Sequence, residues 1–182
     1  EIPNDDIKIV CDNTFASPYN QQPLTLGADV VLHSSTKYLG GHSDIIGGAI
    51  IIKNDNKLAE KIKYLQNAIG AVPSPFDCYM LIRSIKTLSV RMEKHNSNAM
   101  IISEHLSNHP KIKKVRYPGL KNDPNHNIAK SQMRGFGGII SVDLNTDLKG
   151  TLNFLESIEI FTLAESLGGV ESLIEHPAIM TH

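Results

Sequence analysis

The chain has 182 residues, 41% of them hydrophobic, with 18 Lys+Arg against 19 Asp+Glu. That length is ample for a buried core, and the near-neutral balance argues against a nucleic-acid or anionic-membrane binder, which needs a surplus of Lys and Arg on one face. No apolar run approaches the roughly 20 residues of a bilayer span, and the two cysteines, too few for a disulfide framework, are expected as buried thiols in a reducing, cytoplasmic setting.

The chain opens without Met on the acidic stretch Glu1 to Asp6, which has neither the basic nor the apolar part of a secretory signal. A piece of a longer protein, its beginning missing, is the expectation. Ile7 to Cys11 is a short apolar run that reads as a buried strand ended by Asp12-Asn13. A loop leads to a short helix at Pro23 to Leu26, closed by Gly27. Strands follow at Asp29 to Ser34 and Gly48 to Lys53, and their near-continuous apolar character predicts a sheet covered on both faces. Asn56 to Ala68 is an amphipathic helix with Leu58, Ile62 and Leu65 on one face.

From Ser74 as cap and Pro75 at the first helical position, apolar spacing predicts one long helix to Ser107. A helix of that length commonly links two lobes, which puts a boundary near residue 90. Beyond it the order is a strand (112–117), a short helix (127–133), a strand (138–144), a helix (147–157) and a strand (160–164), a two-layer α/β lobe.

Chemistry concentrates between residues 12 and 44. Ser34-Ser35-Thr36-Lys37-Tyr38 follows a strand directly, at the carboxyl edge where open α/β sheets bind ligands. Ser34 and Thr36 can donate to phosphate oxygens, and Lys37 can reach a carbonyl carbon of the same ligand. Asp12 ends the preceding strand, and a right-handed parallel crossover brings it to the same edge. An acid, a lysine and adjacent hydroxyls are the parts of a pyridoxal phosphate site: the acid keeps the ring nitrogen protonated and the lysine holds the aldehyde. No G-x-x-x-x-G-K precedes the lysine, so a nucleotide loop is disfavoured. The eight histidines show no H-E-x-x-H spacing and the cysteines no C-x-x-C, so no metal site is expected.

Four stretches carry a resemblance. They are Asp12-Asn13-Thr14-Phe15, then Ser34 to Tyr38 with Gly41-His42-Ser43-Asp44, then Gly70 to Pro75, and Leu163 to Leu173. On these the chain resembles the Cys/Met-metabolism family of pyridoxal-phosphate enzymes along its whole length. The resemblance implies the PLP-dependent aminotransferase-like (type I) α/β fold, with residues 1–90 in the C-terminal part of the cofactor domain and 91–182 in a truncated, smaller C-terminal α/β domain. It implies pyridoxal 5'-phosphate as cofactor, Lys37 as its lysine, Asp12 beside the ring nitrogen, Thr14 beside the ring, and Ser34 and Thr36 on the phosphate.

The resemblance further implies Ser166 near the substrate carboxylate. Glu165, in Ala-Glu-Ser-Leu-Gly-Gly, together with Pro177 to His182 most resembles the cystathionine γ-lyase members. An acid there favours the ammonium on the distal arm of L-cystathionine. The implied activity is γ-elimination of cystathionine to cysteine, 2-oxobutanoate and ammonia by a homotetramer with shared sites. The alternatives are γ-synthase or methionine γ-lyase activity, or an inactive fragment. The family's upstream Gly-rich phosphate loop, its stacking aromatic, and the Tyr and Arg lent by a neighbouring subunit have no counterpart here. Its arginine for the substrate carboxylate would follow His182.

Overall fold

A computed structural model describes residues 7–181. Its first sheet has strand order β1-β2-β3, formed by Val10–Asp12, Val30–Ser34 and Gly48–Ile52. β1 and β2 run parallel, with Asp12 opposite Leu32, as the crossover rule requires. The crossover contains a helix absent from the sequence reading, α1 (Ser17–Asn20), and a tight turn at Pro23–Thr25 before Gly27, whose φ of +108° only glycine adopts freely.

β3 lies antiparallel to β2, with Ser34 opposite Gly48. Coverage on both faces holds only for the central strand: Val30 and Val31 are buried, whereas Val10 and Ile50 are more than half exposed. The outer strands are only partly covered among the described residues, with Cys11, Ala49 and Ile52 half-buried and Ile9 and Ile51 exposed. The cysteines also differ from expectation, since Cys11 and Cys78 are free but only partly buried.

α2 (Asn56–Ala68) matches its sequence bounds because Asp55 caps it, accepting from the Leu58 N–H at 3.0 Å. The expected single helix from Ser74 is two. α3 (Pro75–Ile85) starts under the Ser74 cap, whose Oγ accepts from Asp77 N at 3.0 Å, and α4 (Leu88–Ser107) begins after a break at Lys86-Thr87. The cause is local. The Ser84 carbonyl accepts from Thr87 N at 3.1 Å and from the Thr87 hydroxyl at 3.0 Å, so it is drawn away from the ladder position it would serve in a continuous helix.

The remaining elements are β4 (Ile112–Arg116), α5 (His126–Gln132), β5 (Ser141–Leu144), α6 (Leu148–Glu156), β6 (Thr162–Leu163), β7 (Leu173–Ile174) and α7 (Pro177–Met180). β4 pairs antiparallel with β5, and β6 parallel with β7. The last strand and α7 went unread because each is too short to show a period. No described helix is long and apolar enough to cross a membrane.

The core lies beneath the turn that follows β2. Tyr38, Leu39, Leu88 and Met92 form a buried cluster, with Tyr19, Leu81 and Leu167 packed against it. α4 touches this turn and α1, and further along it touches β4, so one helix ties the sheet to the C-terminal elements.

Candidate active site

The site grows from the carboxyl ends of β1 and β2. Asp12 is the last residue of β1, and Thr14 turns back over it. The Thr14 hydroxyl donates to Asp12 Oδ1 at 2.6 Å, and the Thr14 N–H donates to the same oxygen at 3.0 Å. That hydroxyl in turn accepts from Ser34 N at 2.8 Å, so one buried threonine locks the two strand ends together.

These bonds hold the Asp12 carboxyl below its usual range, the Thr14 hydroxyl first and its N–H second, with a smaller push from nearby His33; partial burial acts the other way. His33 is buried on β2, and its Nδ1 finds no hydrogen-bond partner among the described residues. Burial lowers its pKa, offset in part by Asp12.

After Ser34 the chain makes a wide turn, Ser35–Leu39, closed by Gly40 N donating to the Ser35 carbonyl at 2.9 Å and kinked at Lys37 (φ −94°, ψ −128°). Thr36 is oriented by Gly47, whose N–H donates to its hydroxyl at 3.1 Å. The Tyr38 side chain anchors the turn: its ring is 2% exposed and its hydroxyl accepts from Gly138 N at 3.2 Å.

The C-terminal segment then closes on Lys37. Lys37 Nζ donates to Ser166 Oγ at 3.3 Å, across 129 positions of sequence. Gly168 makes this approach possible, since a Cβ there would meet Tyr38 N at 2.5 Å and Lys37 C at 2.9 Å, and its φ is +80°. A second tie runs from the Ser43 hydroxyl, donating to Glu171 Oε2 at 3.1 Å.

Asp12, Thr14, Ser34, Thr36 and Lys37 therefore share one sheet edge, and Ser166 reaches Lys37 there from the far end of the chain. Glu165 is exposed beside Ser166. The edge fits the expected cofactor: it offers a flexible primary amine, a carboxylate kept ionised by two donors, and the Ser34 hydroxyl, which has no hydrogen bond among the described residues. Sequence reasoning passed over Gly168 and the anchoring role of Tyr38. Only Gly168 left a signal, as one of two adjacent glycines beside a candidate residue.

The model of the Cys/Met metabolism PLP-dependent enzyme family matches residues 3–182. The cystathionine beta-lyase of Coxiella burnetii is 61% identical over 97% of this chain and 46% of its own length. The cystathionine gamma-lyase of Dictyostelium discoideum is 55% identical over 96% of this chain and 45% of its own. A crystal structure of cystathionine gamma synthase from Xanthomonas oryzae, in complex with aminoacrylate and cysteine, superposes with a TM-score of 0.93 at 46% identity, over 97% of this chain and 46% of that one. The chain thus spans about half the length of the curated relatives it matches, and relatives named cystathionine beta-lyase, gamma-synthase and gamma-lyase are 61%, 55% and 55% identical to it. The shared fold is α/β, and the cofactor of the matching family is pyridoxal phosphate. On these findings the chain belongs to the Cys/Met metabolism family of PLP-dependent enzymes.

Proposed function

We propose that the protein containing this chain is a carbon–sulfur lyase of transsulfuration that cleaves L-cystathionine to cysteine, 2-oxobutanoate and ammonia. The observation that supports the reading is that Asp12 ends β1 beside the parallel strand β2 that leads into Lys37, and that Lys37 Nζ bonds Ser166 Oγ. In this reading residues 1–90 complete a cofactor domain, residues 91–182 form the smaller α/β domain, and the enzyme works as a cytoplasmic homotetramer with shared sites.

Pyridoxal phosphate, when bound, supplies an aldehyde for amine exchange and a ring that stores the electron pair left when a Cα proton departs. Each residue then has a task of its own. Lys37 Nζ would hold the cofactor's aldehyde and, as the free amine, would take and return the substrate's protons. Arginine has no equivalent use, because its guanidinium stays protonated. Asp12, kept ionised by Thr14, is the counter-charge for a protonated ring nitrogen. The Ser34 and Thr36 hydroxyls donate to phosphate oxygens. Ser166 Oγ holds the Lys37 amine in direction between proton transfers and lies near the substrate carboxylate. Glu165, exposed beside it, takes the ammonium of the distal arm.

The 61% identical relative named cystathionine beta-lyase favours a second reading, β-elimination to homocysteine, pyruvate and ammonia. Product analysis of the full-length protein on L-cystathionine separates them. Cysteine with 2-oxobutanoate is expected, whereas homocysteine with pyruvate establishes the second reading. Release of neither, from protein that has bound the cofactor, contradicts both.

A further inference from the structure

Arg91 sits in the first turn of α4, and its guanidinium has three partners, none of them a carboxylate. Nη1 donates to the Tyr38 carbonyl at 2.7 Å, Nη2 to the Ser84 carbonyl at 3.1 Å, and Nε to Thr87 Oγ1 at 3.1 Å. Among the described residues it forms no salt bridge. Partial burial pushes its pKa down, so the charge gives up hydration without gaining a counter-charge. What a planar, rigid fork delivers under those terms is geometry.

The geometry falls on the lysine turn. The carbonyl it grips belongs to the residue after Lys37, whose ring is already fixed by burial and by Gly138. The other two oxygens flank the break between α3 and α4: Ser84 lies in the last turn of α3 and Thr87 precedes α4. The guanidinium also fills the space where a Cβ on Gly41 would stand, so the chain beyond Lys37 passes closely over it. We infer that Arg91 is a positioning residue for Lys37, clamping the Lys37–Tyr38 segment to the helix break and so setting the direction in which the amine is presented. The inference rests on Lys37 being the cofactor-bearing lysine.

The test uses the full-length protein, with and without cofactor, as wild type, Arg91→Lys and Thr87→Val. Arg91→Lys keeps the charge and loses the fork. It is expected to lower kcat by on the order of tenfold to a hundredfold, as small misplacements of a reacting group do, while KM stays within about twofold. In cofactor-free protein, acylation of Lys37 read by peptide mass is expected to change severalfold, with Lys130 as the unchanged internal reference. Thr87→Val is expected to move both readouts in the same direction by less, and it decides the matter if Arg91→Lys does not fold. Unchanged kcat and unchanged Lys37 acylation in a folded variant overturn the inference. So does a fall in kcat that only tracks the unfolded fraction. Lys37→Ala that still shows the visible absorbance of bound cofactor refutes the underlying reading instead, whatever Arg91 does.

Discussion

At the scale of single residues, Thr14 ties the ends of β1 and β2 together at the candidate site. Its hydroxyl donates to Asp12 and accepts from Ser34 N, and it is 8% exposed. Thr14→Val keeps shape and removes both bonds, leaving one donor on Asp12 and the part-buried Ser34 N–H without a partner, at about 1–3 kcal/mol. The Asp12 pKa is then expected to rise toward the ordinary carboxylate value, read by carbon NMR of the labelled carboxyl. The sign follows from the depressed native value: the stabilisation is present above the unfolded pKa and is lost as pH falls through the folded one. Thr14→Val therefore narrows the pH window over which acid weakens the fold. An unmoved Asp12 titration contradicts the role given to Thr14.

Much of the edge was legible from sequence. Strand, short crossover and strand fix Asp12 and Lys37 on one side by handedness alone. The bond from Lys37 to Ser166 was not, because no local rule links positions 129 apart. Resemblance set Ser166 near the substrate carboxylate; the lysine contact came only with the structure.

At the scale of elements, the segment after β6 reaches the lysine through a close backbone approach. Gly168→Ala adds a methyl 2.5 Å from Tyr38 N at a φ of +80°. Left-handed backbone alone costs about 1–2 kcal/mol in a non-glycine residue, and the clash pushes the segment away. The expected outcome is loss of the Lys37–Ser166 contact and a fall in kcat larger than the fall in thermal stability accounts for. Full activity with an unchanged melting temperature contradicts this packing.

Elements also differ in how readable they are. The Asn56–Ala68 helix was legible from Asn56 to about Ala68 because one apolar stripe marks it locally, and the Asp55 cap fixes its start. The break at Lys86-Thr87 was invisible, because Ser84 and Thr87 are tolerated inside helices and the apolar spacing continues across it. It is stabilised by Arg91, through bonds to both of those residues. Charge reaching back along a helix breaks no periodicity, so the sequence reading ran straight through.

At the scale of the whole molecule, the buried cluster around Tyr38 and Met92 is small, and extended apolar faces lie bare. Phe76, Tyr79 and Ile82 line one side of α3 at 69%, 62% and 62% exposure. Apolar residues at helical spacing are built for burial, and nothing among the described residues covers them. The chain spans 46% of the relative named cystathionine beta-lyase. Coverage of the sheet could not be read locally for the same physical reason: an apolar strand states that it is buried, but not by what.

In the proposed function the Lys37 amine bears the cofactor. Borohydride reduction of the cofactor-loaded, full-length protein, followed by peptide mass mapping, tests it most directly. A pyridoxyl-phosphate adduct on Lys37, absent from Lys37→Ala, is the predicted result. An adduct on another lysine, or one that survives Lys37→Ala, contradicts the assignment.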